Sequence, residues 1–246
     1  MKTRLIFILC MIISIITFGQ EKKQFKDEIK GVNVSPPRFA GVEKPISDLQ
    51  KGPFESISDY MVRNVQYPQK AVESFDQGTA IVQFTVSATG EISDFNVINS
   101  VSKEIDEEVI RVLKTTEGKW IPGVNNETPV AMENEVSVAF KLTGLNNYND
   151  FDYLGRKYFT KGGEMLCLKG NPQKAIKYYD KGIVLLPKDV SLLLMRGLAR
   201  YEAGNKEGAC QDWNRIKTLG GIGSDAYLDG FCKMEGYAEL ISILKE

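Results

Sequence analysis

The stretch GTAIVQFTV, residues 78–86, alternates apolar and polar side chains and decides the fold of the first half of the chain. A period of two predicts a β-strand that buries one face. The next residues, SATG at 87–90, are typical of a tight turn, and a second strand is predicted from Ile92 to Ile98. The buried face is expected to carry Ala80, Val82, Phe84 and Val86, and the opposite face Thr79, Gln83 and Thr85.

The segments on either side of this hairpin predict helices and one further strand. Apolar residues recur at helical spacing over residues 54–65, and Pro68 ends that region because proline disfavours the helical conformation of its predecessor. Ser102 is the predicted N-cap of a helix with an apolar stripe over residues 105–113. Alternation over residues 130–142 predicts the last and longest strand.

The order of these elements and of their motifs resembles the C-terminal domain of TonB proteins. The resemblance covers residues 48–144, and it is specific because the motifs occur together and in the same order. The motifs are Tyr67-Pro68, residues 78–86, Gly90-Glu91-Ile92, Asp106-Glu107-Glu108-Val109, Trp120-Ile121-Pro122-Gly123, Pro129-Val130 and Phe140-Lys141-Leu142. Asn126-Glu127-Thr128 departs from the family, in which many members place a glycine and a basic residue in this predicted turn.

The resemblance implies an α+β fold in which a small antiparallel sheet packs on a helix. It also implies binding by β-strand addition, in which an extended segment of an outer-membrane receptor joins the exposed sheet edge. The last strand is the predicted docking edge, and Glu133, Glu135, Ser137 and Lys141 are the side chains expected near the incoming segment. The same residues also fit a solvated sheet face whose charges prevent pairing.

Two departures from the family argue against force transduction by this chain alone. The family resemblance implies a membrane helix with a functional histidine, and the chain has no histidine. It also implies a long Pro-rich span, whereas the predicted linker arm at residues 20–47 would reach about 100 Å at full extension. The role that the resemblance implies is participation in TonB-dependent outer-membrane transport, without force transduction by this chain alone. The alternative is an envelope scaffold or adaptor that reuses the fold without energy transduction.

Residues 153–246 contain an internal period of 34 residues. The recurring pairs are Gly163/Gly197, Leu166/Arg200, Gly170/Gly204, Ala175/Ala209, Tyr179/Trp213 and Pro187/Gly221. This pattern resembles two tetratricopeptide (TPR) repeats followed by a capping helix at residues 225–244, and it implies an all-α array of helical hairpins. Such arrays bind a protein or peptide in a concave groove, predicted here at Lys169, Arg196 and Arg200. The same charges also fit a solvated helix face.

The first nineteen residues are typical of a secretory signal peptide. Lys2 and Arg4 form a basic start, residues 5–18 are almost wholly apolar, and cleavage is predicted before Gln20. The apolar run is shorter than the roughly 20 residues of a bilayer-spanning helix. We therefore predict export to the periplasm, with an uncleaved inner-membrane signal anchor as the alternative.

Export determines how the cysteines are interpreted. Cys10 leaves with the leader, and an oxidising compartment favours one disulfide among Cys167, Cys210 and Cys232. We predict a bond between Cys210 and Cys232, because two repeats are too few for independent stability and need a staple. Cys167 is then a spare, buried thiol. Two buried free cysteines at positions 210 and 232 are the alternative.

Charge and composition exclude several classes of function. With 31 basic and 32 acidic residues and a net charge of −1, the chain has no electrostatic signature of nucleic-acid binding. The absence of histidine excludes Ser-His and Cys-His nucleophile pairs and histidine-ligated zinc. We predict a non-enzymatic protein that uses no cofactor and no metal and whose partners are proteins. An exposed sheet edge also allows a strand-paired homodimer.

Overall fold

The structure is a computed structural model that describes residues 33–41, 56–142 and 150–232. The strands are β1 (Val34–Ser35), β2 (Arg38–Phe39), β3 (Gly78–Val86), β4 (Ile92–Asn99), β5 (Trp120–Ile121), β6 (Gly123–Asn125), β7 (Thr128–Val130) and β8 (Met132–Phe140). The helices are α1 (Ile57–Asn64), α2 (Gln69–Glu73), α3 (Lys103–Lys114), α4 (Phe151–Gly163), α5 (Pro172–Leu185), α6 (Val190–Glu202), α7 (Lys206–Thr218) and α8 (Asp225–Tyr227). π-Helical turns at Glu164–Leu168 and Leu228–Cys232 continue α4 and α8.

Several sequence predictions fall outside the described residues. These are the signal peptide at residues 1–19, the arm at residues 20–47 except for residues 33–41, and the end of the predicted capping helix. Within the described ranges, no helix combines the length and apolar character needed to cross a membrane.

A three-stranded antiparallel sheet in the order β4–β3–β8 forms the centre of the sheet half, which comprises residues 33–41 and 56–142. β3 pairs with β8 without a register shift, from Gly78 opposite Phe140 to Val86 opposite Met132. The pairing of β3 with β4 contains register shifts, and Asp94 on β4 has a φ of 52°. The predicted hairpin and its alternation are confirmed. The predicted last strand is divided into β7 and β8, which separate at position 131.

The inner face of the sheet packs on α1 and α3. Its core includes Met61, Ala80, Val82, Phe84, Val86, Ile105, Val109 and Trp120. Ser102 precedes α3 as predicted, but its hydroxyl makes no cap hydrogen bond. Instead, the carboxylate of Asp106 accepts the amide of Val101 at 3.2 Å and the hydroxyl of Ser100. Burial raises the pKa of Asp106 against the opposing effect of these two hydrogen bonds.

Part of the predicted linker arm is strand. β1 pairs with β6, and β2 pairs with β5. The ring of Phe39 on β2 lies 5.4 Å from the rings of both Tyr60 and Trp120, measured between centroids. Two-residue strands carry no periodicity that a sequence could display. The aromatic contacts of Phe39 hold this part of the arm on the core.

The turn between β6 and β7 lies where the sequence departs from its family pattern. Asn126 and Glu127 have φ values of 48° and 67°, between the paired residues Asn125 and Thr128. A two-residue loop with both φ angles positive is a type I′ turn, whose twist matches that of the flanking strands. Asn126 also exchanges hydrogen bonds with Asn33, at 2.9 and 3.0 Å. The turn therefore forms without glycine, and a glutamate occupies the left-handed region.

In the helical half, residues 150–232, helices α4 to α7 pack on one another in sequence order. Gly162 lies against the ring of Tyr179 and Gly197 against that of Trp213, so a Cβ at either glycine would collide with the ring. The two rings are 34 residues apart in sequence, whereas the two glycines are one residue further apart. The π-helical turn after α4 accommodates this extra residue. The predicted match of Gly163 with Gly197 is therefore wrong by one position.

The starts of α5 and α7 keep the 34-residue period. The side chains of Asn171 and Asn205 each accept a hydrogen bond from the amide three residues ahead, at 3.0 and 2.9 Å. The preceding glycines, Gly170 and Gly204, both have positive φ, at 56° and 85°. In both places the glycine thus ends the preceding helix in the left-handed conformation, and the asparagine caps the next helix.

The predicted disulfide between Cys210 and Cys232 is confirmed, with its Cα atoms 5.8 Å apart. It joins α7 to the π-helical turn after α8, next to a cluster of rings formed by Tyr201, Trp213, Tyr227 and Phe231. Cys167 is the free cysteine, but it is exposed, which corrects the prediction of a buried thiol. Cys167 lies in the π-helical turn after α4, next to the buried Leu166.

The two halves contact each other at the outer face of the sheet, the face opposite α3. The hydroxyl of Thr79 donates to the carbonyl of Leu185 at 2.9 Å. The side chain of Asn99 donates to the carbonyl of Thr79 at 2.8 Å and reaches that of Val184 at 3.5 Å. Ile81, on the same outer face, is fully buried. The helical half therefore covers the beginning of β3.

Candidate partner-binding surfaces

β8 is an edge strand of the central sheet. It pairs along its whole length with β3, and within the described residues no strand lies on its other side. The strand is nine residues long, whereas the strands of the small peripheral sheets have two or three. An edge of this length presents a row of backbone donors and acceptors to which another chain can pair.

The amide of Glu135 identifies which backbone groups face this edge. It donates to the side-chain oxygen of its neighbour Asn134 at 2.8 Å. Because backbone groups alternate in direction along a strand, the amides of Glu133, Ser137 and Ala139 point to the same side. The amide of Val136 then points toward β3. The outer edge therefore offers donors at the odd-numbered positions.

The four side chains predicted near an incoming segment have different surroundings in the structure. Glu133 accepts a hydrogen bond from the side chain of Gln83 at 2.8 Å. Ser137 is exposed. The ammonium group of Lys141 lies 4.6 Å from the centroid of the Phe151 ring, a cation–π contact at the start of the helical half. Glu135 has a different environment.

Glu135 links the two halves through charge. Its carboxylate lies 2.9 Å from the ammonium of Lys188 and 2.6 Å from Nη2 of Arg215, the latter outside hydrogen-bond geometry. The side chains of Glu135 and Arg215 are only 21% and 19% exposed, so water screens this contact incompletely. Glu135 is thus committed to the contact between the halves.

Arg196 and Arg200, two of the three predicted groove residues, lie on α6 and form one charge cluster with carboxylates of the neighbouring helices. Arg196 makes two hydrogen bonds to the carboxylate of Asp212, at 3.0 and 2.6 Å, and one to Asp180 at 2.9 Å. Arg200 donates to Asp212 at 3.0 Å and to the carbonyl of Gly208 at 3.2 Å. Asp212 is 3% exposed and fixes both guanidinium groups.

Lys169, the third predicted groove residue, does not join this cluster. It follows the π-helical turn and pairs with Glu164 at 2.8 Å. Both side chains are about half exposed, so the pair contributes little to stability.

Between the halves lies a cleft of about 700 Å³, hereafter the interface cleft. Its sheet side includes Gln83, Asn96 and Ile98, and its helical side includes Arg200, Gln211 and Asn214. The sequence did not predict this cleft, or the participation of Lys188 and Arg215. One signal was present: Ile81 is an apolar residue on the otherwise polar face of β3, which indicates that something covers that face. Among the described residues, no group of three or more potential ligands is placed to hold a metal ion.

Comparison with known proteins assigns the sheet half. Residues 63–142 match the family model for the Gram-negative bacterial TonB protein C-terminal. This segment is similar to the TonB C-terminal domain. The match includes β3, β4, α3 and the β8 edge, and it ends before the helical half.

Two solved structures of the Helicobacter pylori TonB C-terminal domain, both determined by NMR in solution, are similar to this chain. The structure of residues 194–285 is 18% identical, covers 36% of this chain and 92% of its own, and gives a TM-score of 0.29. The structure of residues 179–285 is 17% identical, covers 35% and 77%, and gives a TM-score of 0.28. No curated protein is significantly similar to the chain.

The sheet half therefore has an edge and a face of different character. Within the described structure both β4 and β8 are edges of the central sheet, and β8 is the longer of the two and pairs with β3 without a register shift. The outer face contacts the helical half at Thr79, Asn99 and Glu135.

Proposed function

We propose that this chain is an exported, non-enzymatic envelope protein of the periplasm that binds segments of partner proteins by β-strand addition to β8. The match of residues 63–142 to the TonB C-terminal family supports an interaction role in the envelope. The single observation that carries the mechanism is the nine-residue edge, with its odd-numbered amides directed away from β3. Backbone hydrogen bonds would supply the affinity of such a complex, and side chains its specificity.

The family resemblance suggests TonB-dependent outer-membrane receptors as the partners of this edge. The alternative is an adaptor that uses the same edge for other envelope proteins and transmits no force. One observation favours the alternative. The helical half contacts Glu135 in the middle of β8, so a partner that docks on β8 would lie beside the helical half.

For the helical half we propose a short TPR array that binds a second protein segment. The equivalent caps at Asn171 and Asn205 and the equivalent rings of Tyr179 and Trp213 support this proposal. The groove would use Arg196 and Arg200, which share Asp212, rather than Lys169.

Strand addition is tested by removing one edge amide. The tagged protein is crosslinked in cells, captured from the envelope and compared by mass spectrometry with its Ser137→Pro variant. Proline at position 137 removes a donor that faces the edge, a site where proline is tolerated in sheets. Ser137→Ala is the matched control, because it removes the hydroxyl and keeps the amide. Val136→Pro is unsuitable, since it would break the ladder between β8 and β3.

We expect Ser137→Pro to lose its partners while Ser137→Ala keeps them. Recovery of TonB-dependent receptors by the wild type supports the transport role, and recovery of other envelope proteins supports the adaptor. If Ser137→Pro, shown to be folded by circular dichroism, captures the same proteins as the wild type, strand addition at β8 is excluded.

A further inference from the structure

The floor of the interface cleft is a row of polar side chains across the outer face of the sheet. Asn96 on β4 lies opposite Gln83 on β3, and Gln83 lies opposite Glu135 on β8. Glu135, at one end of this row, is not available to a ligand because Lys188 and Arg215 hold its carboxylate. Asn96 is exposed and Gln83 half-buried, so the carboxamide end of the row lines the open part of the cleft.

The roof of the cleft carries polar side chains as well, beside the apolar residues Ile183, Pro187 and Leu193. Gln211 and Asn214 on α7 add two more carboxamides, and Arg200 on α6 adds a guanidinium group. A carboxamide offers two N–H donors and one acceptor oxygen, which is the combination that pairs with the N–H and C=O groups of a peptide backbone. Carboxamides on the floor and the roof thus face the same space from opposite sides.

Arg200 differs from Arg196 in how many of its donors are used. All three nitrogens of Arg196 donate to Asp212 or Asp180. Arg200 donates hydrogen bonds only through Nη1, whereas its Nε and Nη2 donate none within the described structure, and Nη2 lies 3.9 Å from the carboxylate of Asp180. Burial lowers the pKa of Arg200, and the charge of Asp212 compensates for this only in part. Arg200 is therefore a partly buried cation whose Nε is available to an anion in the cleft and whose Nη2 is held only by a long ion pair with Asp180.

We propose that the interface cleft is a second binding site, separate from the β8 edge, for a short extended peptide segment that carries a carboxylate side chain. The carboxylate binds Arg200, and the peptide backbone binds the carboxamides of Gln83, Asn96, Gln211 and Asn214. This inference rests on the proposed function in that it assigns a ligand to the helical groove, and it adds the sheet as the opposite wall of that groove.

The lining excludes other classes of ligand. None of the residues that line the cleft is aromatic, so a nucleobase would find no ring on which to stack. The volume falls within the range of about 300–1,000 Å³ typical of sites for small ligands, but the lining is mostly polar, which disfavours an apolar ligand. A polar, partly anionic segment of extended chain satisfies both the carboxamides and the available Nε donor of Arg200.

The test uses three acetylated and amidated hexapeptides, in which serine alternates with glutamate, glutamine or lysine. Each is titrated into the full exported chain, and binding is followed by NMR through the side-chain amide signals of the four carboxamide residues. We expect the glutamate peptide to bind the most tightly of the three. Arg200→Gln should lower the affinity for the glutamate peptide about tenfold or more, and Asn96→Ala should lower it about threefold. The effects differ because a charged hydrogen bond contributes more than a neutral one.

Matched variants separate this site from the rest of the chain. Lys169→Gln removes a basic residue outside the cleft and should leave the affinity unchanged. Asn96→Ala changes an exposed residue of the sheet and keeps the test valid even if Arg200→Gln weakens the helical half. The proposal is overturned if the glutamate peptide binds no better than the glutamine peptide, or if neither Arg200→Gln nor Asn96→Ala affects its binding. Loss of binding in Ser137→Pro alone would place the peptide on the β8 edge instead.

Discussion

The sheet half and the helical half bury their large aromatic side chains by different means. In the sheet half, Phe84 packs on the rings of Phe95 and Trp120, and the indole N–H of Trp120 donates to Thr116 at 2.9 Å. In the helical half, Tyr179 and Trp213 also contact other rings, but in addition they lie against the backbone at Gly162 and Gly197. Ring against ring tolerates small shifts, whereas ring against backbone fixes the helix spacing.

The polar ends of these rings show the same contrast. The hydroxyl of Tyr179 and the indole N–H of Trp213 are buried, and within the described structure neither has a hydrogen-bond partner. Burial, with a smaller contribution from the nearby Cys167, raises the pKa of Tyr179 to about 12. An unpaired buried donor costs roughly 1–3 kcal/mol. The helical half therefore depends more than the sheet half on other restraints, of which the disulfide is the clearest.

The largest expected effect comes from Trp213→Ala, which removes a fully buried ring from the helical half. We expect a loss of about 3–5 kcal/mol in the free energy of unfolding of that half. The chain has two tryptophans, so the fluorescence of Trp120 then reports on the sheet half alone. In a denaturant titration, the helical signal in circular dichroism should shift while the Trp120 midpoint stays in place.

An equal shift of both signals would contradict this expectation and show that the two halves unfold as one unit. Leu168→Ala is the matched control, because Leu168 is 81% exposed and its removal should change stability by less than about 0.5 kcal/mol.

The second effect in size is expected from removing the disulfide. Replacing Cys210 and Cys232 with serine releases a restraint across 22 residues and should cost about 3 kcal/mol in the helical half. Cys167→Ser, at an exposed free cysteine, should have almost no effect. Thermal unfolding followed by circular dichroism measures both. Equal stabilities of the double variant and the wild type would show that ring packing alone holds the end of the helical half.

The sequence predicted elements with a clear period and missed features that depend on tertiary contacts. The alternation in β3 and the helical stripe of α3 are local, and both were predicted. The disulfide was also predicted, because compartment and repeat number limit the choice of pairs. The exposure of Cys167 was missed, since the prediction of a buried thiol rested on the residue type and not on its position in an element. Equally, no local pattern shows that Glu135 meets Arg215 across the two halves.

A third prediction concerns that contact between Glu135 and Arg215. Glu135→Gln removes a charge that lies against two basic groups. It should lower the free energy of unfolding by about 1–2 kcal/mol, a value between those for exposed and for buried ion pairs. A double-mutant cycle with Arg215→Gln should give a coupling energy of about 1 kcal/mol. Glu133→Gln is the control, because Glu133 accepts its hydrogen bond from neutral Gln83. A coupling energy near zero would show that the halves meet without electrostatic linkage.

The smallest effect, and the one that stabilises, is expected in the turn between β6 and β7. Glu127 has a φ of 67°, where side chains other than glycine are strained, so Glu127→Gly should raise the free energy of unfolding by roughly 0.5 kcal/mol. Asn126→Gly should not stabilise, because asparagine tolerates this region and its side chain accepts the amide of Asn33 at 3.0 Å. Chemical unfolding of the two variants distinguishes these cases. Because the turn belongs to the sheet half, Glu127→Gly should shift only the Trp120 fluorescence when it is measured in a Trp213→Phe background. A shift of the helical circular dichroism by the same amount would remove the distinction between the halves.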